Sequence, residues 1–383
     1  MTDNNLMDPE RLARLVAMWR SDPQNDSLYR HCIATAQQCA AFEVMVEVAQ
    51  QRLDAAPDDA VALFDLASGL IGEQQYEAAL LQLARLPAAV QANSAVLQNR
   101  GLCHYCLQQY AQARSLLEIC YANGERHAGL QRLLISTLHH LGQLESALTI
   151  ANEATDVAAT DGALAGVLAL LYLDADDVPN ARRWARTALD LDAKSVDGRV
   201  VEATLLTARL QKERARRMLE EVVADVPQTA RAWLGLGTLS LIEQDLVQAK
   251  AQLQRSLELM PQHVGSWHVL AWAHLVSGEL PQAQQAFEQA LALDRNFAET
   301  HGGLASVAAL RGESARARAL IETAKRLDGG CLSATFAEAM LTSQGGDPAE
   351  AQRMVLGTVA GLANRDGGAL SKLLAHVSRG RTH

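Results

Sequence analysis

Small and apolar residues recur along this chain at an interval of 34 positions. From Ala249, steps of 34 reach Ala283, Ala317 and Ala351 in one direction. In the other they reach Ala215, Ala181, Ala147, Ala113 and Ala79. Within one interval the pattern is that of a helix pair. Trp233, Leu236, Gly237 and Ser240 are spaced i, i+3, i+4, i+7, one stripe of an α-helix. Gln244-Asp245 breaks the stripe and predicts a turn. Ala249, Leu253 and Ser256 start a second helical stripe, and Pro261 ends it because proline cannot continue the hydrogen-bond ladder. The small residues Gly237 and Ala249 let the two backbones come close.

Other columns keep the same register. Four residues after each alanine stand residues such as Leu83, Leu117, Leu219, Leu253, Phe287 and Ile321. Twelve before it stand Ala67, Gly101, Ile135, Ala169, Ala203, Gly237, Ala271, Ala305 and Ala339. Gly142, Gly278, Gly312 and Gly346 share the column for the turn between the helices. Pro179, Pro281 and Pro348 fall at the start of a second helix, where a missing N–H does no harm. Pro87 predicts a shortened second helix in its repeat.

The motifs Trp233-x2-Leu236-Gly237 with Ala249-x3-Leu253, and Trp267-x2-Leu270-Ala271 with Ala283-x3-Phe287, resemble the tetratricopeptide repeat family. The resemblance covers nearly the whole chain, in about ten units starting near residues 26, 60, 94, 128, 162, 196, 230, 264, 298 and 332. It implies an all-α fold, a right-handed α-solenoid superhelix of helix-turn-helix units. Residues 1–25 are expected to form an N-terminal capping helix and 26–365 the array. Residues 366–383 are expected to hold a C-terminal capping helix with the stripe Leu370, Leu373, Leu374 and Val377, followed by a tail. Arg100, Glu202 and Glu338 sit where the family prefers Leu.

Charge narrows the function. The net charge of −10 argues against general nucleic-acid binding and against an anionic membrane surface. The start MTDNNLMDPE lacks the cationic lead and apolar run of a secretory signal, and the apolar run at 164–173 is too short to span a bilayer. The cytoplasm is the expected compartment, where the six cysteines would stay reduced.

The catalytic patterns GxSxG, GxxxxGK[ST], HExxH and GxGxxG do not occur, so a non-catalytic protein without a cofactor is expected. Cys103 and Cys106 share a helical face, and His139 and His140 lie in nearly the same register one repeat later. Thiolate with imidazole would suit zinc, although buried structural thiols are the stronger expectation. Asp174, Asp176 and Asp177 begin like a calcium loop but lack its later ligands, and read as a solvated turn. Basic runs at Arg182, Arg183 and Arg186, at Lys212, Arg214, Arg216 and Arg217, and at Arg316 and Arg318 lie on second helices. Neighbouring acids favour a solvated outer face there over an anionic docking patch.

In the tetratricopeptide family a second stripe of each first helix, at unit positions 2, 5, 9, 12 and 13, lines the concave face and binds peptide. Carried over, it gives Val61, Phe64 and Ile71, then Leu102 and Tyr105, then Arg132, His139 and His140. Further on it gives Leu170 and Leu173, then Leu234, Leu241 and Ile242. The last members are His268, Trp272, Leu275 and Val276, then Phe336 and Met340. The cluster lacks the converging cations that would hold a chain-terminal carboxylate. It suits an amphipathic helix or an extended apolar segment of another protein, with hydrogen bonds from His139, His140 and His268 setting register. The leading expectation is therefore a protein-interaction scaffold or adaptor. The alternatives are a chaperone for a secreted or assembly client, the targeting subunit of a multi-subunit enzyme, and a thiol or metal sensor.

Overall fold

A computed structural model describes residues 9–354, and every regular element among them is helical. The chain divides between Val167 and Leu168 into two compact units. The first contains α1 (Pro9–Ser21), α2 (Asp26–Gln38), α3 (Phe42–Ala55), α4 (Ala60–Gly72), α5 (Tyr76–Ala84), the short α6 (Ala88–Gln91), α7 (Ser94–Cys106), α8 (Tyr110–Ala122), α9 (Ala128–His140), α10 (Leu144–Glu153) and the short α11 (Thr155–Ala158). The division falls inside α12 (Gly162–Asp174). The second unit continues with α13 (Val178–Leu191), α14 (Val196–Ala208), α15 (Lys212–Asp225), α16 (Ala230–Ile242), α17 (Leu246–Leu259), α18 (Val264–Val276), α19 (Leu280–Leu293), α20 (Ala298–Leu310), α21 (Ser314–Leu327) and α22 (Leu332–Gln344). Within each unit, consecutive helices pack as pairs and each pair stacks on the next, the all-α solenoid expected from the period. The expected C-terminal cap at 366–383 lies outside the described residues.

Most first helices start the same way. The preceding residue recurs every 34 positions, from Asn25 through Asp59, Asn93, His127, Asp161, Ser195, Thr229, His263 and Phe297 to Cys331. At Asn25, Asp59, Asn93, His127, Asp161, Ser195 and His263 the side chain accepts a hydrogen bond from a first-turn N–H. Such a cap satisfies one of the donors a helix start leaves unpaired. Pro87 has the expected effect: α5 stops after nine residues, and the chain restarts as α6.

The turn between paired helices is equally regular. Ala40, Gln74, Gln108, Gly142, Asp176, Leu210, Gln244, Gly278, Gly312 and Gly346 stand 34 apart, and all have φ between +50° and +98°. This left-handed conformation reverses the chain in a few residues. Glycine adopts it freely, whereas an L side chain crowds its own carbonyl there.

Small residues close each pair. A Cβ on Gly101 would stand 2.7 Å from Leu117 Cδ2, and one on Gly237 2.6 Å from Leu253 Cγ. Successive pairs are also tied at their edges. Trp233 Nε1 donates to the Pro227 carbonyl at 2.9 Å, and Trp267 Nε1 to the Pro261 carbonyl at 2.8 Å. One repeat's tryptophan thus holds the proline that ends the repeat before it. At the start of the chain, Leu12, Val16 and Trp19 of α1 are buried, and the Trp19 and Tyr29 rings lie 6.0 Å apart.

Leu210 occupies the left-handed turn without glycine's freedom. Leu210→Gly is expected to raise stability by about 0.5–1 kcal/mol, and Gly312→Leu to lower it by about 1–2 kcal/mol. Urea midpoints of the two variants against the parent chain would then move in opposite directions.

Candidate functional site

The stripe that the family uses for binding is differently disposed in the two units. In the first unit it is accessible. Val61 is 46% exposed, and Phe64, Ile71, Leu102 and Tyr105 are half-buried on the adjacent helices α4 and α7. Arg132 on α9 is exposed and makes no ion pair or side-chain hydrogen bond among the described residues. His139 is half-buried. His140 is exposed but not idle: its ring stacks flat on Tyr110 at 4.5 Å, with Tyr105 edge-on at 5.6 Å. Asn99 Nδ2 donates to Ser68 Oγ at 3.3 Å and links α7 to α4 along the same face.

The thiol–imidazole candidate does not assemble. Among the described residues no group of three or more His, Cys, Asp and Glu side chains is placed to hold a metal ion. Cys103 is fully buried, and burial, reinforced by Cys106, pushes its thiol up to about 12. A thiol protonated at neutral pH is a poor ligand and a poor nucleophile. His140 is engaged with two tyrosines instead. The aspartates of the turn before α13 are also committed. Asp177 caps α13 by accepting from Asn180 N, Asp176 takes the left-handed turn, and Asp174 receives both Nη groups of Arg231 at 2.9 and 2.5 Å.

In the second unit the stripe is closed around Trp272, which corrects the expectation for several residues. Trp272 is only 6% exposed, and Leu241, His268, Leu275 and Phe336 are buried with it. Leu170, Leu173, Leu234, Ile242, Val276 and Met340 are half-buried. The Trp272 ring meets Phe336 at 5.6 Å and Phe287 at 6.0 Å, and His268 meets Phe287 and Phe297 at 5.5 Å each. The chain's own aromatic side chains fill the place where a peptide was expected.

Close packing of α22 on α20 accounts for part of this. A Cβ on Gly302 would lie 2.3 Å from Ala334 N, so only glycine admits α22 at this distance. Gly302, Gly303, Leu304, Ala305, Ser306, Val307, Ala308 and Ala309 are all buried. Small residues on every side of α20 were the sequence signal for a helix covered all round. Glu299 completes the junction. Cys331 offers α22 no side-chain cap, and the Glu299 carboxylate accepts from Leu332 N at 2.8 Å, Ser333 N at 2.9 Å and Ser333 Oγ at 2.5 Å. The favourable field at a helix N-terminus suits that charge.

His268 is the titratable group inside this closed region. Trp272 Nε1 donates to His268 Nε2 at 3.0 Å, so Nε2 must be unprotonated, and Nδ1 is buried without a partner. Burial lowers the imidazole to about 4, against a smaller upward pull from Glu299. An unfolded imidazole titrates near ~6.5. The unfolded chain therefore binds the proton first, and stability contributed at neutral pH is lost as pH falls from ~6.5 toward the folded value. The loss is roughly 3 kcal/mol at ~1.4 kcal/mol per unit. In His268→Gln, which keeps an acceptor for Trp272 but does not titrate, the urea midpoint is expected to fall less between neutral pH and pH ~5 than in the parent chain.

Residues 200–263 and 268–330 match the tetratricopeptide repeat family. No curated protein matches the sequence. Among solved structures, the APC/C hetero-tetramer Cut9–Hcn1 is similar over 98% of this chain and 87% of that chain, with 15% identity and a TM-score of 0.50. A tetratricopeptide repeat protein from Parabacteroides merdae ATCC 43184 is similar over 66% of this chain and 93% of that chain, with 17% identity and a TM-score of 0.41. No helix among the described residues is long and apolar enough to cross a membrane. Tetratricopeptide repeat proteins generally act as non-catalytic scaffolds that bind other proteins. The 34-residue helix pairs, their recurring caps and turns, and the matched segments support a tetratricopeptide repeat protein.

Proposed function

We propose that this scaffold binds an apolar or amphipathic segment of another protein along the first-unit stripe of α4, α7 and α9. The observation that carries the reading is the contrast with the closed region around Trp272. Phe64, Ile71, Leu102 and Tyr105 keep accessible apolar surface on neighbouring helices, with Val61 more exposed beside them, while their counterparts Leu241, Trp272, Leu275 and Phe336 are buried. Accessible apolar surface framed by polar groups is the character of a docking strip. Polar selectivity would come from the edge of that strip. Arg132 can meet a carboxylate on the polar side of an amphipathic segment, and His140 presents an imidazole already oriented by Tyr110.

Val61→Asp and Arg132→Glu change exposed positions on this stripe and should leave the thermal melt unchanged. Partner capture through a photo-crosslinking side chain placed at Leu102 is expected to drop about tenfold in the double variant. Trp272→Ala should do the reverse, costing about 3–5 kcal/mol of stability with little change in capture per folded molecule. Undiminished capture by the double variant would overturn the reading.

A further inference from the structure

Between Val178 and Arg217 the chain carries ten arginines and lysines against five carboxylates, a basic stretch in a protein of net charge −10. The surrounding repeats show how such cations are normally matched. In two later repeats the residue after the packing alanine reaches forward to a carboxylate of the next repeat. Arg216, after Ala215, pairs with Glu243 at 2.7 Å, and Lys250, after Ala249, pairs with Glu279 at 2.6 Å. Glu243 is the C-cap of α16, and Glu279 is the N-cap of α19.

One repeat earlier this ladder breaks. Arg182, after Ala181, is the counterpart of Arg216 and Lys250. The place of Glu243 is held there by Arg209, the C-cap of α14, and the place of Glu279 by Gln211, the N-cap of α15. Arg182 thus lacks the carboxylate that Arg216 meets at Glu243. Arg182 Nε is buried and has no hydrogen-bond partner. Arg186, Arg209 and Arg217 are exposed, and neither they nor Lys212 make an ion pair among the described residues. Arg183 is exposed and lies over its neighbour Trp184, 4.9 Å from the ring centroid.

We infer that this outer face, from α13 across the end of α14 to the start of α15, is a docking surface for a short run of Asp and Glu residues on another polypeptide. The charge complementarity is local. Asp190 on α13 and Glu213, Glu220 and Glu221 on α15 are exposed around the cations. Those acids and the net negative charge oppose a long polyanion, whereas a few carboxylates fit between them. The inference is separate from the first-unit stripe: it uses different helices and a different chemistry.

Fluorescence anisotropy with a dye-labelled oligo-glutamate peptide tests it. The peptide should bind, bind less as salt rises, and bind better than an oligo-glutamine control or a single-stranded oligodeoxynucleotide of equal length. Arg209→Glu is the diagnostic variant. It restores a carboxylate at Glu243's place, opposite Arg182, so affinity should fall about tenfold or more while the melting temperature holds or rises. Arg186→Gln, at an exposed position, should weaken binding with the melt unchanged and serves if Arg209→Glu lowers stability. Val61→Asp with Arg132→Glu should leave this affinity as it was, which keeps the two surfaces distinguishable. Affinity unaffected by both Arg209→Glu and Arg186→Gln, equal binding of oligo-glutamine, or preference for the oligonucleotide would each overturn the inference.

Discussion

Two helix backbones come close only where the side chain between them is small. In this chain that constraint is met at the same phase of most repeats, by glycine or alanine on the first helix, facing a leucine at Leu117 and Leu253. A Cβ on Gly101 or Gly237 would strike the facing leucine of its partner helix, and one on Gly303 would stand 2.3 Å from Phe287 Cε1 of the preceding repeat. Once the pair is closed, its turn has room for few residues, and one of them must be left-handed. That requirement is strict enough for Ala40, Gln74, Gln108, Asp176, Leu210 and Gln244 to accept it without being glycine. Packing of the whole repeat outweighs roughly a kilocalorie of local strain at each.

The same constraint, applied to a second face of a helix, decides whether the family's binding stripe is open. On α20 the stripe positions are Gly302, Ser306 and Ala309, and α22 comes in over them until Gly302 nearly touches the Ala334 backbone. Phe336 is then carried against Trp272. On α4 and α7 the equivalent positions hold Phe64, Ser68, Ile71, Leu102 and Tyr105, side chains that keep neighbouring backbones apart and retain contact with solvent. Side-chain volume at one phase of the first helix therefore separates surface left in contact with solvent from surface consumed by the fold.

Much of the fold was legible because a repeat states each rule several times. The alanine column, the prolines and the four turn glycines placed the helix pairs, and Pro87 announced the shortened α5. The full ten-member turn column was not legible, since Gln74 or Leu210 carries no mark of positive φ. The candidate site was less legible still. Phase puts Trp272 and Leu102 on the same stripe, yet the burial of Trp272 depends on Phe287 and Phe336, which phase on α18 alone does not report. His268 illustrates the point. It was expected to offer a hydrogen bond to a partner, and it accepts one from Trp272 inside the core. Only the all-round small composition of α20 hinted at this.

Repetition also makes exceptions informative on the outer surface. An exposed ion pair contributes little to stability, of order 0–1 kcal/mol, so exchanging the carboxylate at one rung for Arg209 costs the fold almost nothing. The consequences for recognition are larger. One exchange removes a negative charge, adds a positive one, and leaves Arg182 and its neighbours with unspent attraction. A surface of this kind can arise in a repeat array without disturbing the helix contacts that hold it, because the alanine that packs each pair and the cation beside it point to different neighbours. Ala181 is fully buried, while Arg182 beside it is half-buried with its Nε unpartnered. Architecture and partner choice are thus written in adjacent residues that answer to different forces.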